Sequence, residues 1–330
     1  MATCAKLKSQ ESLKLTRRKS IAGERGCKLN LEPNPHAVGC NAPQELHIVQ
    51  TCDTFAMHPL NTWPRQARSR IKGIFTDIDD TLTTGGVITP DALAALHELK
   101  AQGLHVIAIT GRPVGWSEPF AASWPIDAIV AENGAVLLQN THQNGLLPNE
   151  YGRKQLLKSY QQSDAIRAAN HARMQQIGQR ILREVPGTLL AEDSPGRETD
   201  MAIDHSEFTH LPPEKIAQVV AIMQVEGMNA TVSSIHINGW FGEHNKLVGA
   251  RSAVRELYGR NLDEEMDNWA YVGDSTNDQL MFEAFLHAIG VANVRRFEAQ
   301  LAHLPRYITD AERGAGFAEV ARAVMVAQTD

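Results

Sequence analysis

The chain has 330 residues, enough for one large domain or two ordinary ones, and its 43% hydrophobic and 21% charged residues exclude a wholly disordered protein. No apolar run approaches the roughly 18–20 residues that a membrane-spanning helix needs. A net charge of -6 argues against nucleic acid as the main partner, because phosphate backbones are met by basic faces.

Charge and cysteine are unevenly spread. Residues 1–68 carry 10 Lys+Arg against 5 Asp+Glu, whereas the remaining 262 carry 22 against 33. All four cysteines (Cys4, Cys27, Cys40, Cys52) lie in the first part. Their wide spacing offers no zinc-type pair, and the long second part can rely on neither disulfides nor thiolate metal sites. Residues 1–68 are poorly periodic and are punctuated by Pro33, Pro35, Pro43, Pro59 and Pro64. They read as a disordered leader or a mis-assigned start, with Met57 a plausible true start. A basic targeting arm is the sharper alternative. No secretory h-region is visible in them.

From Arg70 the texture changes. Residues 71–76 form a short apolar run that predicts a buried strand. Residues 90–102 carry Leu93, Leu96 and Leu99 at helical spacing, and Gly103 stands where a helix stop belongs. Apolar strands are predicted over 104–109, 127–130 and 134–138. Strand, helix, strand with apolar rather than alternating strands predicts a parallel sheet covered on both faces. The same grammar returns late: a helix over 245–258, a strand over 269–273, a helix over 277–286, a strand over 288–291 and a closing helix over 317–327. Between the halves, 141–240 differs in character. It reads as a polar helix over 153–183 ended by Pro186-Gly187, a strand over 199–203, a helix over 213–224 and a strand over 229–237. The expected architecture is α/β, a Rossmann-like parallel sheet core (69–140 and 241–330) with an inserted α+β cap domain (141–240) after the leader (1–68).

The chemistry gathers at strand ends, where parallel sheets bind ligands. Asp77-Ile78-Asp79-Asp80-Thr81 places two carboxylates at i, i+2 just past the first strand. One can attack while the other moves a proton, and both can hold a divalent cation. The plainer reading is an acidic turn. Thr110-Gly111-Arg112 offers a hydroxyl and open N–H groups to an anion, or is an ordinary turn. Asp274-Ser275-Thr276-Asn277-Asp278 sets two acids four apart at a strand-to-helix junction. They can converge on a hard cation, for which Mg²⁺ fits best, or they can cap the helix. Lys246 opens a helix. It is either a solvated charge or a point cation balancing these acids.

In their order and placement these four elements resemble the haloacid dehalogenase-like (HAD) phosphohydrolase superfamily over about 70–330. The insert between Thr110 and Lys246 resembles the class IIB cap of sucrose-phosphate, trehalose-phosphate and mannosyl-3-phosphoglycerate phosphatases. The resemblance implies that Asp77 is the nucleophile, forming an aspartyl-phosphate. It implies that Asp79 is the general acid/base and that Thr110 and Lys246 bind the phosphoryl group. Asp77, the main-chain carbonyl of Asp79, and Asp274 would be Mg²⁺ ligands, with Asp278 beside them. Gly111, Arg112, Asn133 and Asn277 would contact substrate. Asp80 departs from the Gly that many relatives carry. In the insert, Arg197, His236 and Asn238 are candidates to face the substrate or are merely structural. His205 and His244 show no ligand spacing and read as surface residues or neighbours of the site.

The implied activity is a Mg²⁺-dependent phosphoric monoester hydrolase acting on a small phosphorylated metabolite, a sugar phosphate above others. The alternatives are a hexose phosphomutase and a catalytically silent binding protein of the same fold. No nucleic acid or membrane partner is expected, and the cytoplasm is the default location.

Overall fold

The computed structural model describes residues 56–140 and 156–329, together with a strand pair at Asn30–Leu31 and Ile48–Val49. The chain divides into two units, Met1–Ala56 and Met57–Asp330. Up to residue 55 the expected leader falls, that strand pair apart, outside the described residues.

The second unit opens with β1 (His58–Pro59), a short helix α1 (Arg65–Arg68) and β2 (Gly73–Thr76). A hairpin of β3 (Thr83–Thr84) and β4 (Val87–Ile88) precedes α2 (Pro90–Ala101). Then come β5 (His105–Ile109), α3 (Val114–Ser123), β6 (Ala128–Ala131), β7 (Val136–Asn140) and β8 (Leu156–Tyr160). The insert contributes α4 (Asp164–Glu184), β9 (Leu189–Leu190), β10 (Asp200–Asp204), α5 (Pro213–Val225), β11 (Asn229–Val232) and β12 (His236–Trp240). The chain closes with α6 (Lys246–Tyr258), β13 (Trp269–Gly273), α7 (Gln279–Ala284), β14 (His287–Gly290), β15 (Tyr307–Ile308) and α8 (Arg313–Gln328).

One sheet runs β8-β7-β6-β5-β2-β13-β14-β15-β1. Neighbours from β6 to β1 are parallel, and β7 and β8 add antiparallel strands at one edge. Every residue of β2, β6, β13 and β14 is buried, as strands sandwiched between helices require. Successive side chains alternate between two apolar clusters. Ile74, Val106 and Val272 pack with Leu96 and Leu99 of α2 and Phe317 of α8, whereas Phe75, Ile107 and Tyr271 pack with Val254 of α6 and Phe282 of α7.

Caps fix the helices that carry the site. Asn245 accepts from the Val248 N–H at 3.0 Å to start α6, and Gly259 at φ +65° ends it. Gly134 (φ +105°) lies so close to the start of α6 that a Cβ there would collide with Asn245 O. Only glycine lets that helix, with Lys246 at its head, sit against the turn after β6.

Two expected boundaries differ. Residues 57–68 belong to the folded core: β1 pairs with β15, and Leu60 and Trp63 are buried in the main cluster. The prolines that read as leader punctuation have structural places. Pro59 lies on an edge strand and Pro64 caps α1, positions that proline tolerates. At the other boundary, β8 joins the central sheet rather than the insert, so the cap elements run over 164–240. The helix expected at 153–183 is β8 followed by α4, and residues 153–155 lie outside the described ones. The strand expected at 229–237 breaks at Ser233, whose Oγ accepts the Ile235 and His236 N–H groups and turns the chain into a hairpin.

The cap sheet, in the order β9-β10-β12-β11, is antiparallel and two-faced. Met201, Ile203 and Ile237 pack under α4 and α5 against Ile177, Ile181, Val219 and Met223. Alternation turns Asp200, Asn238 and Thr231 to the other face, which meets the core.

Candidate active site

The carboxyl ends of β2, β5 and β13 bring the motif residues together. Lys246 Nζ donates to Asp77 Oδ1 at 2.5 Å and to Asp278 Oδ1 at 2.6 Å, although Asp77 and Lys246 are 169 positions apart. One carboxylate oxygen each from Asp77, Asp274 and Asp278 lie within 4.8 Å of one another, and all three residues are buried. Burial raises the Asp77 carboxyl, Lys246 opposes this, and Asp278 and Asp79 add to it. Burial also raises Asp274 well above the usual carboxylate range, with Asp77 and Asp278 pushing the same way. Three acids and one ammonium leave excess negative charge in a low dielectric.

The donor set fits a hard cation. Asp274 Oδ2 accepts from Asn293 at 2.9 Å, but its buried Oδ1 has no partner. A buried orphan carboxylate oxygen is costly unless something positive meets it. Asp278 differs. Its oxygens accept from Lys246, from the Tyr271 hydroxyl and from the N–H groups of Asp274 (2.9 Å) and Ser275 (3.1 Å). It is fully committed to fixing Lys246 and the β13–α7 loop. Asp80 sits at φ +55°, a left-handed turn that Asp tolerates, and its carbonyl accepts from Asn293.

Thr110 is fully buried at the end of β5, and its Oγ1 accepts the Arg112 N–H at 3.0 Å. The Arg112 guanidinium grips Asp79 through Nε (3.0 Å to Oδ2) and Nη2 (3.0 Å to Oδ1). It also reaches two cap carboxylates, Asp193 at 3.2 Å and Glu207 at 2.7 Å. The Gly111 carbonyl accepts from Arg197 at 3.0 Å and from Asn238 at 3.2 Å. Arg197 is paired with Asp193 and Asp200, and His236 Nε2 lies 2.7 Å from Glu207. Burial lifts Asp200 to about 7, despite Arg197. Asn133 (φ +55°) follows β6 and lies 3.4 Å from Asp200 Oδ2. Asn277 Oδ1 accepts from Ser275 Oγ at 2.9 Å. The cap is thus shut over the site by polar contacts, and the space against Asp77, Asp79 and Arg112 is only about 10 Å³.

A family model described as haloacid dehalogenase-like hydrolase matches residues 74–177, from β2 through Asp77, Thr110 and Asn133 into the cap. The match spans about a third of the chain and takes in the Asp77, Thr110 and Asn133 motifs. A phosphoglycolate phosphatase from Methanothermobacter thermautotrophicus is 25% identical to this chain, over 77% of this chain and 99% of the relative's. Two solved structures share its fold. The sucrose-phosphatase of Synechocystis has a TM-score of 0.54 at 15% identity, covering 77% of this chain and 97% of the other. A Thermoplasma acidophilum protein has a TM-score of 0.59 at 16% identity, covering 78% and 99%.

Several site residues of this protein carried no readable motif. Asp193 and Glu207 meet Arg112 only because the cap folds back over β5. Asn293 and Tyr271 hold the acids from β14's far loop and from inside β13. Tyr271 alone left a signal, two positions before Gly273 on the same strand face. His244 is not a surface residue but 4% exposed, and neither ring nitrogen has a partner.

Glu207 supports a pH test of cap docking. Burial raises its carboxyl, but hydrogen bonds from His236 and Arg112 outweigh this and lower it from 4.5 to about 2. A depressed folded-state value stabilises above the unfolded value and is lost as pH falls through the folded one. Wild type is expected to melt above Glu207→Gln at pH 7. The gap should begin to close below pH 4.5 and vanish near pH 2 in melting curves. A gap constant down to pH 2 would show that Glu207 is not held as a carboxylate.

Proposed function

We propose that this phosphatase is Mg²⁺-dependent and hydrolyses a small phosphorylated metabolite, a sugar phosphate above others, with Asp77 as nucleophile. The reading is carried by one observation: buried Asp77 and Asp274 converge with Lys246 at the sheet's carboxyl edge beside Thr110. An Asp77 oxygen attacks phosphorus as the bond to the leaving oxygen breaks. Asp79 gives its proton to that oxygen, then takes one from the water that splits the aspartyl-phosphate. Thr110 and Lys246 hold the phosphoryl oxygens. A phosphoryl transfer needs little beyond such positioning and charge neutralisation. Asp77, the Asp79 carbonyl and Asp274 would hold Mg²⁺, which supplies charge neutralisation at the phosphoryl oxygens. Asp278 supports Lys246 rather than offering a free oxygen.

Arg112 ties the core to the cap through Asp193 and Glu207, so opening the cap to admit substrate separates Arg112 from these two while its bond to Asp79, within the core, stays in place. Closure then excludes water from the leaving group. The test is phosphate release from a panel of sugar phosphates with Mg²⁺ and with EDTA. Release should require the metal. Isomerised sugar phosphate without free phosphate would instead point to a mutase, and silence on the whole panel to a binding protein.

A further inference from the structure

We propose that Asn293 is a positioning residue that makes Asp274 a one-oxygen ligand, and so tunes the metal site toward Mg²⁺ and away from Ca²⁺. This role rests on the metal-dependent reading above and extends it to the choice of cation. Asn293 is 2% exposed, in the loop after β14, and its amide joins two loops of the site. Nδ2 donates to Asp274 Oδ2 at 2.9 Å and to the Asp80 carbonyl at 3.0 Å. Oδ1 accepts the Arg313 N–H at 3.0 Å, where α8 begins. An acceptor must face that N–H and donors must face the two oxygens, so the amide has one orientation. The Asp80 carbonyl lies one residue beyond the Asp79 carbonyl that would meet the metal. The same NH₂ group therefore sets the spacing between the two loops that carry its ligands.

The backbone that presents Asn293 is itself held. The Val291 N–H donates to the Gly273 carbonyl at 3.1 Å, next to Asp274, and the Ala292 N–H donates to Thr309 Oγ1 at 3.1 Å. Asp80 and Arg313 both stand at φ +55°, and Arg313 Nε lies 2.9 Å from Asp80 Oδ1. Left-handed backbone at residues other than glycine persists where its surroundings fix it, and such positions gather at functional sites.

The cation preference follows from the oxygens that remain. Asp274 Oδ2 is taken by Asn293, and Oδ1 is buried without a partner. Asp278 is fully engaged, and Asp77 Oδ1 is bonded to Lys246. Mg²⁺ takes a tight octahedral shell and keeps several waters, whereas Ca²⁺ takes roughly 6–8 oxygens, often both from one carboxylate. A donor on Oδ2 opposes that bidentate mode and leaves one-oxygen ligation intact.

The experiment is titration calorimetry of Mg²⁺ and of Ca²⁺ on the substrate-free full chain, well below its melting temperature. The rise in melting temperature with each cation is a second readout. Asn293→Ala should weaken Mg²⁺ by about tenfold or more, the usual cost of losing a group that orients a metal ligand, and change Ca²⁺ by less than about threefold, since Asp274 can then offer both oxygens. The ratio of the Ca²⁺ to the Mg²⁺ dissociation constant therefore falls. Asn293→Ser, the milder cut, should move the ratio the same way. An asparagine that only supports the fold would lower the melting temperature in EDTA and leave the ratio where it was. A ratio unmoved, or moved toward Mg²⁺, in the folded variants overturns the role of Asn293 alone. Wild type that binds no Mg²⁺ overturns the metal-dependent reading, and the positioning role falls with it.

Discussion

Asp77→Asn is expected to abolish phosphate release, by about 10⁴-fold or more, while raising the melting temperature of the metal-free protein. The first effect follows from the nucleophile's role, because an amide cannot form the phosphoenzyme. The second follows from crowding. Asp77 shares a buried site with Asp274 and Asp278 and a single ammonium. Its carboxyl is already driven upward by burial and by neighbouring acids. Neutralising it removes repulsion that the fold otherwise bears. About 1 kcal/mol of relief corresponds to roughly 2–4 °C for a domain of this size. Turnover assays and melting curves in EDTA check both. A variant that hydrolysed esters at the wild-type rate would remove Asp77 from the mechanism. A lower melting point would show that its bond to Lys246 outweighs the repulsion.

Lys246→Met is the converse experiment. The ammonium is 3% exposed and bonded to two carboxylates. Without it three acids remain in one cluster. Deleting one partner of a buried pair costs about 3–5 kcal/mol, here roughly 6–20 °C of melting temperature. Turnover should fall by about 10²–10³, the usual cost of losing a group that meets transition-state charge. Added Mg²⁺ should recover part of the stability and little of the rate. An unchanged melting temperature would mean that Lys246 does not neutralise the cluster.

How much of this was legible in the sequence depends on distance along the chain. The motif positions could be read because parallel strands end on one edge, so Asp77, Thr110 and Asp274 are gathered by topology alone. The central strands could be read because burial on both faces makes them uniformly apolar. What escaped depends on contacts between remote segments. Asp193 and Glu207 are ordinary acids until the cap folds over Arg112, and nothing local marks Asn293 as the partner of Asp274. β8 was hidden in a polar stretch because an edge strand is half exposed and lacks the apolar run of its neighbours. β1 was hidden by prolines that an edge permits. Of the two readings of His244, the neighbour of the site is the one the structure shows, for it is buried and lines the same cavity as Lys246.

One closing contact has an evolutionary consequence. Arg197 and Asn238 grip the core through the Gly111 carbonyl, an oxygen that every amino acid supplies. A side chain there would come within 3.2 Å of Asn133 and 3.4 Å of Asn238, so the acceptor survives those changes that these two amides accommodate. Lineages could therefore diversify the cap's other residues toward new metabolites while inheriting an unaltered catalytic half, with the two parts still recognising each other through the peptide backbone.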